Sequence, residues 1–169
     1  VVSWFGTDMQ AGACRIVPAV ESRDKEVATA PWSVAGRMRA NARLVMQIDG
    51  KPAFGGTPAD AIVRTAILDL KNRGLNVLFY PFVMMDVPGF GWRGDIKPQA
   101  SEKSAALDAE MATFFGEDGS TERYRDFVLH YAQLCADAGG VEAFLLGSEL
   151  RGLTRALGAT GYAAPEALK

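Results

Sequence analysis

The sequence predicts an α/β fold of repeated strand–helix units, and three observations carry that reading. Nearly unbroken apolar runs at 76–85 and 141–146 suit strands covered on both faces, stretches with helical apolar spacing precede each of them, and the alternation implies a parallel sheet. No strand end carries the glycine-rich phosphate turn of nucleotide-binding sheets, which favours a (β/α)8 barrel over an open doubly wound sheet. With 49% hydrophobic and 22% charged residues in 169, the chain has the composition of a globular protein able to bury a core.

Taken in order, residues 1–5 are short, apolar and β-branched and end at Gly6-Thr7-Asp8, as a buried strand meeting a loop does. Residues 14–20 are a second short extended piece. Residues 21–56 read as a long, partly ordered connection in which only Leu44-Val45-Met46 suits an edge strand. Thr57-Pro58-Ala59-Asp60 is a helix start, with Thr57 as cap, and apolar residues at 62, 63, 66, 67 and 70 continue one face to a stop at Gly74. After the strand at 76–85, Pro88, Gly89, Gly91, Gly94 and Pro98 make 86–100 a long loop of the kind that often carries function. A helix is expected over 101–115 and, after the polar Gly116-Glu117-Asp118-Gly119-Ser120 turn, another with apolar residues at 124, 127, 128, 131, 134, 135 and 138. Gly139-Gly140 ends it. The strand at 141–146 leads through Gly147-Ser148-Glu149 into a further helix from Leu150 and Arg151, and Pro165 to Lys169 begins one more. Because the first residues already read as a strand and the last as a helix start, the chain is expected to be an excerpt of a longer polypeptide.

A formal net charge of −2 and a pI near 5.5 give no basic face for phosphate backbones, so nucleic acid is not expected as a partner. Cys14 and Cys135 stand far apart with no second Cys or His at ligand spacing; they read as buried thiols, and neither a metal nor another cofactor is expected. No run approaches the roughly 18 apolar residues of a spanning helix. The opening Val1-Val2-Ser3-Trp4 has no basic stretch with an apolar run behind it, so no signal peptide is expected in this chain.

In a barrel the C-terminal strand ends line the active site, so a carboxylate directly after an apolar strand outranks one on a helix face. Glu149 is such a residue. Glycoside hydrolysis needs two carboxyl groups, one protonated to serve the leaving oxygen and one ionised, and Glu149 suits the first role. The same position also suits a residue capping the helix that follows. Asp86, ending the strand at 76–85, is a candidate for a sugar hydroxyl or the partner carboxylate, against a loop-capping role beside Pro88. Asp8 stands in the same relation to the first strand, against a turn role beside Gly6. Trp92 and Trp4 offer flat apolar faces for sugar rings, with Arg93 beside Trp92 for a carboxylate or hydroxyl, against anchoring of the loop by burial. His130, the only histidine, lies mid-helix with no second His or Cys near and reads as packing, so a Ser-His-Asp triad finds no support.

Six motifs in order, Val2-Ser3-Trp4-Phe5-Gly6, Gly55-Gly56-Thr57-Pro58, Phe79-Tyr80-Pro81-Phe82, Trp92-Arg93-Gly94, Phe127-Val128-Leu129-His130-Tyr131-Ala132 and Gly147-Ser148-Glu149-Leu150-Arg151-Gly152-Leu153-Thr154, resemble the TIM-barrel-like domain of gene transfer agent and phage tail proteins. The resemblance spans nearly the whole chain. It implies that 1–169 are part of one barrel, about its second to fourth strands, within a hub or host-specificity protein at the tail tip of a phage-like particle. The partners it implies are bacterial cell-envelope glycan and other tail or baseplate proteins. Gly147-Ser148-Glu149 is also similar to the Gly-Asn-Glu at the fourth strand of many barrel glycosidases, which implies Glu149 as acid/base. Ser148 stands where that family places the Asn for the sugar 2-hydroxyl, a departure that bears on catalysis and opens the competing reading, a structural or adhesive tail module. The loop between Pro88 and Trp92 is shorter than the resemblance implies, and a nucleophile would come from a later strand.

Overall fold

A computed structural model describes residues 1–117 and 119–168, so Asp118 of the expected polar turn and Lys169 of the expected last helix lie outside the described residues. The chain divides into two compact units: residues 1–4, 18–82 and 128–146, and residues 5–17, 83–127 and 147–169. It is mixed α/β. Strands β1 (Val2–Gly6), β2 (Ile16–Val17), β3 (Ala19–Val20), β4 (Ser33–Val34), β5 (Arg37–Met38), β6 (Arg43–Leu44), β7 (Gln47–Ile48) and β8 (Lys51–Pro52) precede helix α1 (Asp60–Asn72). Then come β9 (Leu78–Phe79), β10 (Pro81–Met85), α2 (Ala105–Phe115), α3 (Tyr124–Asp137), β11 (Ala143–Phe144), α4 (Arg151–Thr154) and α5 (Ala163–Ala167).

A mixed α/β fold with some parallel pairing is found, as the sequence predicts. The described strands form one three-stranded sheet, β10-β1-β2, and four two-stranded sheets, and no closed barrel is formed among them. Parallel pairing is present in β3 with β6 and in β11 with β9, whereas β2 returns antiparallel to β1. The run at 76–85 does not make one strand: Pro81 has no N–H to donate, β9 before it pairs with β11, and β10 after it runs beside β1. The expected strand at 141–146 keeps only two residues in its ladder.

In the first unit, the expected partly ordered connection over 21–56 contains two hairpins. Asp49-Gly50 joins β7 to β8 with φ of 49° and 72°, and Ala35-Gly36 joins β4 to β5 with φ of 49° and 75°. Two positive φ values in a row give the turn whose twist matches paired strands, and Asp-Gly is its strongest short signal. The Leu44 edge strand is present as β6, and Val45 continues it by donating to the Val20 carbonyl at 3.0 Å. Thr57 does not cap α1. Ala59 holds that position without a side-chain bond, while the Thr57 hydroxyl donates to the Ser3 carbonyl at 2.9 Å and accepts from the Ala19 amide at 3.2 Å. Thr57 is thus a buried pin between β1 and β3.

Trp4 and Tyr131 lie at the centre of this unit, the indole N–H donating to the Tyr131 hydroxyl at 2.9 Å. Phe79 packs on Tyr131 and Phe144 at 5.4 and 5.7 Å between centroids. Burying one such ring contributes about 1.5–3 kcal/mol. His130 has the packing role expected of it, lying 4.9 Å from the Tyr131 ring, and its Nε2 meets Asp60 Oδ1 at 2.9 Å. Both cysteines are free and buried, as expected.

In the second unit, Phe114, Phe115, Tyr124 and Phe127 form an aromatic core between α2 and the first turn of α3. Helix α2 begins at Ala105 rather than at 101, because Lys103 turns left-handed and Ser104 becomes the cap, its hydroxyl accepting from the Leu107 amide at 3.1 Å. The loop after β1 is held by the long loop itself: Ala11 donates to the Lys97 carbonyl at 2.9 Å and Lys97 to that of Met9 at 3.1 Å.

Candidate functional site

Two short segments of the second unit meet: 92–95, from the glycine-rich loop, and 147–151, from the turn after β11. The first is a 3-10 turn, Arg93–Asp95, entered from Trp92. The second reaches it because Gly152 carries no side chain; a Cβ there would lie 2.2 Å from the Ile96 carbonyl oxygen. Gly147 is held by a like approach to the Tyr124 hydroxyl, 2.3 Å from where its Cβ would stand. Gly94 lies against the benzo edge of Trp92, so close that a Cβ would come within 2.4 Å of Cη2. These glycines are required by close packing.

Arg93 organises the pair of segments. Its side chain is 8% exposed, its Nε donates to the Ser148 carbonyl at 3.2 Å, and its terminal nitrogen reaches Ser148 Oγ at 3.2 Å and Glu149 Oε2 at 2.9 Å. The same Glu149 oxygen accepts from Trp92 Nε1 at 2.8 Å. Glu149 itself has φ of +53°, a left-handed conformation that costs a residue with a Cβ of order 1–3 kcal/mol and is held only where surroundings fix it. Its side chain remains 54% exposed. The capping alternative is not what is found: Leu150 is the cap residue of α4 and no side chain bonds there, so the Glu149 carboxylate is spent on Trp92 and Arg93.

An exposed second pair adjoins it. Arg151 donates to Asp95 Oδ1 at 2.9 Å, and its guanidinium carbon stands 5.2 Å from the centroid of the Trp92 ring. Trp92 is therefore braced by Gly94, Glu149 and Arg151 while 40% of it stays exposed. The cluster carries two carboxylates and two guanidiniums, one pair half-sheltered and one in solvent.

Of the residues singled out in the sequence, Glu149, Trp92, Arg93 and Ser148 come together in this cluster. Asp86 is 4% exposed, and its amide extends the β10 ladder to the Gly6 carbonyl at 2.9 Å. Asp8 accepts from the Gln10 amide through Oδ1 at 2.8 Å, a turn-forming bond two residues on. Trp4 is in the core of the first unit, 3% exposed, and offers no open face. Sequence reasoning missed Arg151 and Asp95. The available signal was indirect: Arg151 two residues past Glu149, and Asp95 in the same loop as Trp92.

Chemically, the cluster offers one fixed carboxylate with two donors on a single oxygen, placed to accept from further hydroxyls. Among the described residues no group of three or more His, Cys, Asp or Glu is placed to hold a metal ion, and no helix is long and apolar enough to cross a membrane.

Residues 122–169 match the family model of the GTA TIM-barrel-like domain. The match covers Ser148, Glu149 and Arg151 but not the segment 92–95, and over its length it bears out the resemblance to the gene transfer agent domain read from the sequence motifs. No curated protein matches the chain.

Proposed function

We propose, from the premise that residues 122–169 match the gene transfer agent domain, that the chain is the glycan-engaging part of a phage-like tail-tip protein. It binds bacterial envelope polysaccharide or peptidoglycan, and the Glu149 carboxylate is the acceptor for sugar hydroxyls. The observation that carries this reading is the Glu149 carboxylate itself, half exposed yet fixed by Trp92 and Arg93 on a left-handed backbone. A half-exposed carboxylate held in one orientation by two donors is preorganised to accept from a ligand hydroxyl. Asp8, Asp86 and Ser148 are supporting residues in this reading: Ser148 accepts from Arg93, Asp8 shapes the turn after β1, and Asp86 sets the end of β10. The part of the resemblance that places 1–169 within a single barrel belongs to the same proposal.

A second reading is hydrolysis with Glu149 as acid/base, favoured by the likeness of Gly147-Ser148-Glu149 to glycosidase strand ends. It requires a proton on a carboxyl group whose Oε2 already accepts from an indole and a guanidinium, and a second carboxyl group across a cleft. The experiment is co-sedimentation of the full-length protein with purified peptidoglycan and envelope polysaccharide, with soluble fragments assayed in the supernatant. Binding by the parent, weakened about tenfold or more in Glu149→Gln, with no fragment release, is expected of an acceptor that loses one charge-assisted bond. Release by the parent and not by the variant establishes hydrolysis instead. Absence of binding to either material overturns the glycan reading and leaves the structural tail module.

A further inference from the structure

Trp92 is not an open platform, because the Arg151 guanidinium lies over its ring and holds Asp95 at the same time. The two arginines of the site differ in kind. Arg93 is sheltered and committed to Ser148 and Glu149, whereas Arg151 is 53% exposed and its partner Asp95 equally so. An exposed ion pair contributes little, so another carboxylate readily takes the place of Asp95. A guanidinium presents a planar fork that matches a carboxylate with two bonds, and it can keep its contact with an aromatic face while doing so.

We infer that Arg151 is the specificity-determining residue of this site and that the ligand is a carboxylate-bearing sugar, a uronic acid type of glycan, whose carboxylate replaces Asp95 on Arg151. The sugar ring then lies along the exposed part of Trp92, with a hydroxyl donating to Glu149. Asp95 acts as a built-in competitor that occupies Arg151 when no ligand is present. A neutral sugar offers Arg151 only single hydroxyl acceptors in place of the two-oxygen match of a carboxylate. This inference rests on the glycan reading above.

The experiment measures binding of the full-length protein to an oligogalacturonate and to the same oligomer after reduction of its carboxyl groups, beside the envelope polysaccharide used above. Trp92 is the reporter, since Trp4 and Trp32 are both 3% exposed; its fluorescence changes as Arg151 takes up the ligand, and Trp92→Phe removes the signal. Preference for the charged oligomer by about tenfold or more is expected, the size of one charge-assisted bond. Arg151→Gln abolishes that preference, Arg151→Lys restores part of it, and Asp95→Asn tightens binding by removing the competitor. Equal affinity for the two oligomers, or a preference that survives Arg151→Gln, overturns the inference while leaving glycan binding intact. So does binding of envelope polysaccharide without binding of the oligogalacturonate. Failure to bind any of the three overturns both readings. All four substitutions are at exposed side chains, and unchanged thermal unfolding confirms that the variants are folded.

Discussion

Replacing Arg93 by Met keeps most of the volume of a sheltered side chain and removes its five donors. Three acceptors each lose their bond from Arg93: the Ser148 carbonyl, Ser148 Oγ and Glu149 Oε2. Ser148 is half-buried, so each of its two bonds is worth about 0.5–1.5 kcal/mol. Glu149 is more than half exposed, water takes over most of its interaction, and that pair adds only about 0–1 kcal/mol. The total is about 1–4 kcal/mol, with ~2 kcal/mol as the central figure, which lowers the thermal midpoint of a chain this size by roughly 4–8 °C. The assay is thermal unfolding of Arg93→Met and Arg93→Lys beside the parent, with glycan binding measured on the same samples. Arg93→Lys retains the charge but not the fork, and it recovers less than half of the loss. If Arg93→Met unfolds within 1 °C of the parent and binds glycan as well, Arg93 does not organise Glu149, and the account of the site is wrong.

Three further outcomes follow from other contacts. Because Glu149 is left-handed, Glu149→Gly is more stable than Glu149→Ala by about 1 kcal/mol in urea unfolding, although both lose the carboxylate; equal stability would mean that the backbone there carries no strain. Tyr131→Phe withdraws the buried acceptor of the Trp4 indole and costs about 1–3 kcal/mol, read as a lower urea midpoint. Burial pushes the Cys135 thiol up to about 11 from an ordinary 9.0, so the folded state favours the neutral thiol. That contribution is fully present below pH 9, and stability declines as pH rises from there towards 11, a slope that Cys135→Ala flattens.

The sequence by itself determined where the main helices lie and which residues stand beside the candidate site. Apolar spacing located α1 and α3, glycines marked their ends, and the residues after the apolar run at 141–146 pointed to Glu149. Those signals are local, and local rules need no partner to act. Short-range turn chemistry was legible as well, in Asp49-Gly50, yet it was hidden in a segment whose polarity suggested a loose connection. The tertiary structure alone decided how the apolar runs pair. A run such as 76–85 does not specify which of its residues find a ladder, and Pro81 divided it between two neighbours. Thr57, read as a cap, became a pin because the Ser3 and Ala19 backbones came within reach of its hydroxyl. Asp86 and Glu149 both stand at the ends of apolar runs, and nothing in either tripeptide distinguishes the buried carboxylate from the exposed one. What separated them was the arrival of Trp92 and Arg93 from a segment more than fifty residues earlier. Such an encounter depends on packing between distant segments, made possible by Gly94 and Gly152, and the roles of Arg151 and Asp95 are visible only once it has occurred.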